Sequence, residues 1–276
     1  KGNDPMKNIN EKKIGMVGFG HLGSSIAVAL VNGGFRKSNL MISHRRSIET
    51  TERVSELKLE SCVRSTEYLM KNSDIVILAA RPQNIREIAE NHVRTDTMIL
   101  SFMAALPLSA LSSFFDCRIS RVMCSGPESI SGGRGISTLM PSDKDAHEFL
   151  SVCGISEFEV KNEDEIDAFT AGICIPPILM NIRVDSKERD AALINMALSF
   201  PVYRELSGWI EAELALSASE NDKRSLENVS TKGGVSEAMV SSLLDGASFM
   251  SSIERGIERC AELRSELCKN LAVRAA

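Results

Sequence analysis

Short apolar runs alternate with amphipathic stretches through the first half of the chain. Within residues 74–80, the run from Ile75 to Ala80 is continuously apolar, as in a strand buried on both faces. The pattern predicts strands just before Gly18 and at 40–43, 62–63, 74–80, 97–102 and 119–123, and helices at 24–31, 47–58, 65–72, 83–91 and 107–115. This alternation is typical of a parallel sheet with helices on both faces.

The pattern changes near residue 163, after which strand signals almost disappear. Amphipathic stretches with helical spacing follow at 165–180, 189–202, 206–219, 235–245 and 249–271. We therefore expect an α/β protein with two domains. A Rossmann-type parallel-sheet domain at 13–163 is followed by an all-helical domain at 164–276, which we expect to bind substrate and to form a dimer.

Composition narrows the function classes. The chain has 276 residues and a net charge of −5, which argues against general nucleic-acid binding. Its seven scattered cysteines form no C-x-x-C pair and its four histidines are dispersed, so neither a disulfide framework nor a metal site is expected. Reduced thiols indicate a cytoplasmic protein.

The hydrophobicity of the sequence indicates neither a transmembrane helix nor a signal peptide. No segment reaches about 18 consecutive apolar residues, so no transmembrane helix is expected. The polar start at residues 1–5 precedes Met6 and lacks an apolar core. We expect it to be a cloning remnant rather than a signal peptide.

Three glycines follow the first strand in the segment 13–23, which reads KIGMVGFGHLG. Gly18 permits a tight turn, Gly20 lets the backbone approach a pyrophosphate, and Gly23 lets the following helix pack closely on the strand. The N-terminus of that helix offers N–H groups and a partial positive charge to the pyrophosphate. The segment predicts a dinucleotide site; the alternative is a glycine-rich turn in another α/β protein.

The end of the second strand indicates which dinucleotide binds. An NAD site usually carries an acidic residue here for the ribose 2′-hydroxyl. This chain has Ser43, His44, Arg45 and Arg46 instead. Two arginines suit a 2′-phosphate, so we expect NADP(H), with His44 near the adenine. The alternative is that both arginines are solvated loop charges.

The order of motifs resembles that of the pyrroline-5-carboxylate reductases over nearly the whole chain from Lys13. The resemblance rests on the glycine segment and on five later segments: ARPQ at 80–83, SFMAA at 101–105, RVMCSGP at 121–127, GRGIS at 133–137 and TKGGVS at 231–236. It implies an NAD(P)H-dependent reductase of a cyclic imine. It also implies a helical C-terminal domain that builds a homodimer, often within a larger ring.

The resemblance, together with the glycine and arginine segments, assigns expected binding roles. The cofactor-binding residues are Gly18, Phe19, Gly20, His21, Leu22, Gly23, Ser43, His44, Arg45, Arg46, Ala80, Arg81, Pro82 and Ala104. The substrate-binding residues are Lys232, Gly233, Gly234 and Val235. The expected partners are a small imine substrate and a second copy of the chain, with no nucleic acid and no membrane.

Two residues are candidates for catalysis. Ser236 could donate to the substrate carboxylate or to the imine nitrogen, and its alternative role is a helix N-cap. Glu128 could stabilise an iminium cation, and its alternative is a solvated loop glutamate. Lys232 could pair with a substrate carboxylate or be an exposed turn lysine. Cys124, in a glycine-rich loop, is either a reactive thiol or a buried structural one.

The substrate segments depart from the family pattern. Residues 124–126 are Cys-Ser-Gly where the family has Pro-Asn-Thr, and residues 172–176 replace its Gly-Ser-Gly-Pro-Ala. Val235 replaces the first threonine after the paired glycines. In the family these segments line the imine pocket and bind the substrate carboxylate. Because a lost polar partner weakens binding, we expect weak turnover of pyrroline-5-carboxylate itself.

Three alternatives remain open. A β-hydroxyacid dehydrogenase shares the two-domain plan, and residues 131–133 echo its Ser-Gly-Gly loop, but no lysine lies between Lys161 and Lys187 to act as its proton donor. An F420-dependent NADP reductase shares the N-terminal motif but not the long helical region. A catalytically silent NADP-binding paralogue, with a regulatory role exerted through its dimer, would also show altered pocket residues beside an intact cofactor loop.

Overall fold

The computed structural model describes residues 8–220 and 232–272. The chain divides into two compact units. Unit 1 comprises the residues up to Glu157 together with those from Leu267 onward, and unit 2 comprises Phe158–Glu266. Two sequence interpretations involve residues outside the described ranges. They are the cloning remnant at residues 1–5 and the first residue, Thr231, of the family segment 231–236.

Unit 1 is built on a single sheet of seven strands in the order β2-β1-β3-β4-β5-β6-β7. The strands are β1 Ile14–Val17, β2 Leu40–Ser43, β3 Ile75–Leu78, β4 Met98–Ser101, β5 Arg118–Cys124, β6 Ile136–Met140 and β7 Ser156–Phe158. Every residue of β1 to β4 is buried, as expected for strands covered on both faces.

Within residues 8–157, seven α-helices accompany these strands. They are α1 His21–Asn32, α2 Ile48–Glu56, α3 Thr66–Asn72, α4 Ile85–Ala89, α5 Leu108–Phe114, α6 Pro127–Ser131 and α7 Lys144–Val152. Two begin at the predicted serines: the hydroxyls of Ser47 and Ser65 accept hydrogen bonds from backbone N–H groups of the first turns of α2 and α3.

The predicted fold class is confirmed, with local corrections. β1 to β5 pair in parallel, but β6 runs antiparallel to β5, so the sheet is not wholly parallel. The sequence did not predict β6, β7, α6 or α7. The sequence pattern did not indicate β6 because two buried hydroxyl residues, Ser137 and Thr138, interrupt its apolar run. The predicted strand at 62–63 is only an isolated bridge from Val63 to Ile42.

The described residues of unit 2, 158–220 and 232–266, form helices and their connections apart from the end of β7. Its helices are α8 Glu163–Ile173, α9 Ile175–Leu179, α10 Ser186–Ser199, α11 Tyr203–Glu220, α12 Val235–Leu244 and most of α13 Phe249–Asn270. The single helix predicted at 165–180 is two helices that meet at Cys174. Pro176 and Pro177 lack the N–H groups that a continuous helix would use, and they are accommodated in the first turn of α9.

The last turn of α13 belongs to unit 1. Leu267, Cys268 and Leu271 are buried in the apolar cluster on one face of the sheet, with residues such as Leu78 and Ile99. The observed division therefore differs from the predicted one at 163/164, since the final residues pack with the sheet. None of the helices within 8–220 and 232–272 is long and apolar enough to cross a membrane.

Candidate functional site: a dinucleotide loop and a helical pocket

The three glycines between β1 and α1 have the environments that a dinucleotide loop requires. Gly18 has φ +98°, and a Cβ there would lie 2.6 Å from the backbone nitrogen of Ala80. A Cβ on Gly23 would lie 2.3 Å from the carbonyl oxygen of Gly18. Gly20 is different, because a Cβ there would meet no atom within 4 Å. Gly18 and Gly23 are thus fixed by packing, whereas Gly20 faces open space.

The first turn of α1 is suited to an anion. Gly20 is the N-cap residue, so no side chain caps the helix N-terminus. His21 begins the helix and is exposed, while the side chain of Phe19 is buried in the core. Phe19 and the half-buried Leu22 therefore offer a ligand backbone groups rather than side chains. Together with the opening at Gly20, this loop fits a pyrophosphate.

The other predicted cofactor residues follow neighbouring parallel strands. Ser43 ends β2, residues 80–82 follow β3, and Ala104 follows β4, so all lie at the carboxyl edge of the sheet. The strand order reverses between β1 and β3, and ligands of such sheets bind at this point. The backbone N–H of Gly18 donates to the carbonyl of Ser43 at 3.0 Å, joining the glycine loop to the end of β2.

The polar residues after β2 already have partners. Ser43 is buried and its hydroxyl accepts a hydrogen bond from Thr66 Oγ1 at 3.1 Å. Arg45 Nη2 lies 2.8 Å from Glu87 Oε2 on α4. Arg46 has φ +54° and its N–H donates to His44 Nδ1 at 3.0 Å. Burial, aided by the charge of Arg46, lowers the pKa of His44, so this ring is neutral at pH 7.

In unit 2 the paired glycines precede α12. Gly233 has φ +73°, its N–H donates to Glu237 Oε2 at 2.6 Å, and its carbonyl accepts from Arg259 Nη2 at 2.9 Å. Gly234 is the N-cap of α12, so the alternative role of Ser236 as the N-cap is wrong. Lys232, before this turn, is exposed.

Two segments whose family counterparts line the imine pocket meet in unit 2. Ser236 lies near the thiol of Cys174 and partly opposes the rise that burial causes in the pKa of this thiol. Cys174 Sγ donates to the carbonyl of Thr170 at 3.3 Å. Cys174 and Ser236 therefore form a polar cluster at the end of α8 and the start of α12.

Sequence reasoning missed Tyr203, which packs beneath this cluster. A Cβ on Gly172 would lie 3.5 Å from the Tyr203 hydroxyl oxygen and 2.7 Å from a methyl carbon of Leu206. The ring of Tyr203 is fully buried, and burial, with the nearby thiols of Cys174 and Cys260, raises the pKa of its phenol. A single tyrosine at the start of a helix gives no sequence signal for such a position.

The loop after β5 holds the remaining candidates. Cys124 ends β5 and is buried, and burial raises the pKa of its thiol to about 12, which makes it a structural rather than a reactive cysteine. Ser125 Oγ accepts from the N–H of Ile136 at 3.1 Å. Glu128 lies exposed in the first turn of α6. It belongs to unit 1, whereas Ser236 belongs to unit 2.

Across the described ranges, the structure gathers no group of three or more His, Cys, Asp or Glu side chains that could hold a metal ion. The histidine with the most side-chain partners, His147, binds Glu157 Oε2 through Nδ1 at 2.6 Å and Ser142 Oγ through Nε2 at 2.7 Å. These contacts join α7 to β7 at the surface of unit 1.

Comparison with known proteins supports the class that this fold and loop define. Residues 13–105 match a family model described as "NADP oxidoreductase coenzyme F420-dependent". The match contains the glycine loop, both arginines and the residues after β3 and β4. The chain thus carries an NAD(P)-binding oxidoreductase domain, and the prediction of an NADP(H) cofactor is confirmed at the level of this family.

Relatives of known identity extend the comparison beyond residue 105. A pyrroline-5-carboxylate reductase from Aquifex aeolicus (strain VF5) is 24% identical over 168 residues, which span 58% of this chain and 61% of the relative. The reductase from Coxiella burnetii has a TM-score of 0.59 at 19% identity, covering 91% of this chain and 98% of its own. A Plasmodium falciparum pyrroline carboxylate reductase with NADP bound gives 0.58 at 18%, covering 93% and 98%. The predicted resemblance to this family is confirmed, and the fold is shared along both units.

Proposed function

We propose that this protein is an NADPH-dependent reductase of a small cyclic imine, similar in reaction to a pyrroline-5-carboxylate reductase. The observation that carries the proposal is that Ser236, at the start of α12, lies near the thiol of Cys174, at the end of α8. The family counterparts of these two helix ends bind the imine. Residues 13–163 would bind the cofactor, and residues 164–276 would bind substrate and form the dimer.

The reaction asks little of the protein side chains. NADPH, when bound, supplies a hydride to the imine carbon, and the ring nitrogen takes up a proton. The protein must hold the C=N carbon close to the nicotinamide and exclude water. In this proposal Ser236 donates to the substrate, Lys232 attracts a carboxylate where the imine carries one, and Glu128 stabilises the iminium form.

The substrate is expected to differ from pyrroline-5-carboxylate. Val235 offers no hydroxyl, and the N–H of Gly233 is already bound by Glu237. Of two groups that could bind a substrate carboxylate, the hydroxyl at position 235 is thus missing and the N–H of Gly233 is already hydrogen-bonded. A cyclic imine with a smaller or uncharged substituent loses less from these changes, because it leaves fewer buried groups unpaired.

An NADPH-oxidation assay with pyrroline-5-carboxylate and a panel of cyclic imines tests the proposal. We expect turnover of at least one imine, with NADPH preferred to NADH by about tenfold or more, as one good charged contact provides. A matched pair of variants isolates the pocket: Ser236→Ala should lower turnover, whereas Ser241→Ala, an exposed serine on the same helix, should not. Absence of turnover with every imine would overturn the proposal.

The engaged N–H of Gly233 also favours a second candidate. A silent NADP-binding paralogue needs no donor for a substrate carboxylate, and its paired-glycine turn could serve structure alone. Tight NADPH binding without turnover of any imine would support it. An F420-dependent activity is the third candidate, because the family description names that coenzyme, and an F420-reduction assay tests it directly.

A homodimer, in the cytoplasm, completes the proposal. Ile194 and Leu198 lie one turn apart on α10 and are 66% and 77% exposed, and Leu244 at the end of α12 is 71% exposed. A second copy covering these residues would bury this apolar surface, and its Gly233-Gly234 turn would contribute to the active site. Light scattering at micromolar concentration tests the dimer, and a monodisperse monomer would contradict it.

A further inference from the structure

The guanidinium predicted to bind the cofactor's 2′-phosphate is held by a carboxylate that the sequence did not associate with it. Arg45 Nη2 lies 2.8 Å from Glu87 Oε2. Arg45 follows β2 and Glu87 lies on α4, so the pair bridges 42 positions of sequence. Both side chains are largely exposed, at 72% and 69%, and so remain accessible to a ligand.

The surroundings of the pair carry further negative charge. A groove lies between α3 and α4, and its lining includes Thr66, Glu67, Lys71, Glu87 and Glu90. Thr66 hydrogen-bonds to Ser43, which places this groove beside the predicted ribose site. Lys71 is paired with Glu67 at 2.8 Å. Glu87 and Glu90 therefore give this wall a net negative charge beside Arg45.

A phosphate and Glu87 would compete for the same cation. A guanidinium has five N–H donors, so a phosphate oxygen can bind Arg45 either beside Glu87 or in its place. If both anions stay, the phosphate and the carboxylate repel each other; if Glu87 leaves, the ion pair is lost. Either route costs affinity for a 2′-phosphate, while a ribose with a plain 2′-hydroxyl bears no such cost.

We infer that Glu87 determines cofactor specificity by competing with the 2′-phosphate for Arg45, so that it limits the preference for NADPH over NADH. The inference rests on the NADP(H) site of the proposed function and not on imine turnover. Exposed ion pairs contribute little free energy, so the effect of Glu87 has an upper bound of about fivefold in the dissociation constant.

Equilibrium binding to the full chain tests this inference. Glu87→Gln keeps the size of the side chain and removes its charge. We expect the Kd for NADPH to fall by about two- to fivefold, while the Kd for NADH is unchanged. The fragments 2′,5′-ADP and 5′-AMP, which differ only in the 2′-phosphate, should show the same contrast.

Two controls separate competition from a general change of charge. Glu90→Gln removes one negative charge from the same groove and should change NADPH affinity less than Glu87→Gln. In an Arg45→Ala background, adding Glu87→Gln should give no gain, because the contested cation is gone. Equal gains from both glutamine variants, or an unchanged ratio of NADPH to NADH affinity in Glu87→Gln, would overturn the inference. Because the experiment measures cofactor binding, its result is independent of whether the protein reduces any imine.

Discussion

The carboxylate of Glu237 accepts a hydrogen bond from the backbone N–H of Gly233 across one turn, at 2.6 Å. Glu237 is the third residue of α12, so its side chain reaches back beyond the N-terminus of its own helix. A residue at this position commonly satisfies an N–H group at a helix start. Here the contact also fixes the turn on which the proposed substrate residues lie.

Glu237→Ala should therefore lower the stability of the protein. We expect a loss of about 1 kcal/mol in the free energy of unfolding, the usual contribution of such a hydrogen bond. Chemical denaturation measures it. Glu211→Ala, at an exposed position on α11, is the matched control and should change stability little. Equal stability of the two variants would show that the contact does not hold the turn.

Two of the three glycines in the cofactor loop, Gly20 and Gly23, should respond differently to the same substitution. Gly23→Ala places a Cβ 2.3 Å from the carbonyl oxygen of Gly18, so it should destabilise the fold by about 1–3 kcal/mol. Gly20→Ala meets no protein atom within 4 Å. It should leave thermal stability nearly unchanged but weaken NADPH binding by about tenfold or more, because its methyl group occupies space that a pyrophosphate needs. Undiminished NADPH binding by Gly20→Ala would place the cofactor elsewhere.

Val235 offers a test of the altered substrate pocket. If the missing hydroxyl weakens binding of pyrroline-5-carboxylate, Val235→Thr should raise kcat/KM for that substrate by about tenfold, the value of one restored hydrogen bond. Val240→Thr, at a half-buried position on the same helix, should give no such gain. An unchanged kcat/KM in Val235→Thr would direct attention to the Cys124–Gly126 loop.

Alkaline pH should destabilise the protein through its buried thiols. Burial raises the pKa of Cys124 from its usual 9.0 to about 12. The folded state therefore binds this proton more tightly than the unfolded state. The stabilisation is complete below pH 9 and is lost as pH rises from about 9 to 12, by about 1.4 kcal/mol per pH unit for this thiol. Denaturation midpoints between pH 8 and 10.5 measure the slope, which should be shallower in Cys124→Ala; an identical slope would contradict the assignment.

Local sequence signals predicted the packing of the glycine loop. The roles of Gly18 and Gly23 depend on contacts between adjacent elements, and the motif alone specifies them. The signals for the starts of α2 and α3 are also local, since each serine caps the first turn of the helix that follows it. The split at Cys174 was also present in the sequence, because Pro176 and Pro177 cannot continue a helix, but the apolar periodicity across them concealed it.

Long-range contacts were beyond the sequence. Nothing near Arg45 indicates that Glu87, on an element that follows another strand, would pair with it. Tyr203 and Cys174 are distant in sequence, and only the packing of α11 against α8 brings them together. The antiparallel pairing of β6 was hidden for a related reason. The buried hydroxyl of Ser137 donates to the carbonyl of Ser156, a contact that sequence periodicity does not show.

The burial of Leu267, Cys268 and Leu271 against the sheet has a consequence for how the protein is made. Synthesis from the N-terminus produces all seven strands before these residues emerge from the ribosome. During that interval one face of the nascent sheet lacks part of its apolar cover, as would a fragment ending at Glu157. Residues 8–157 therefore lack part of their apolar core until residues 267–271 have been synthesised.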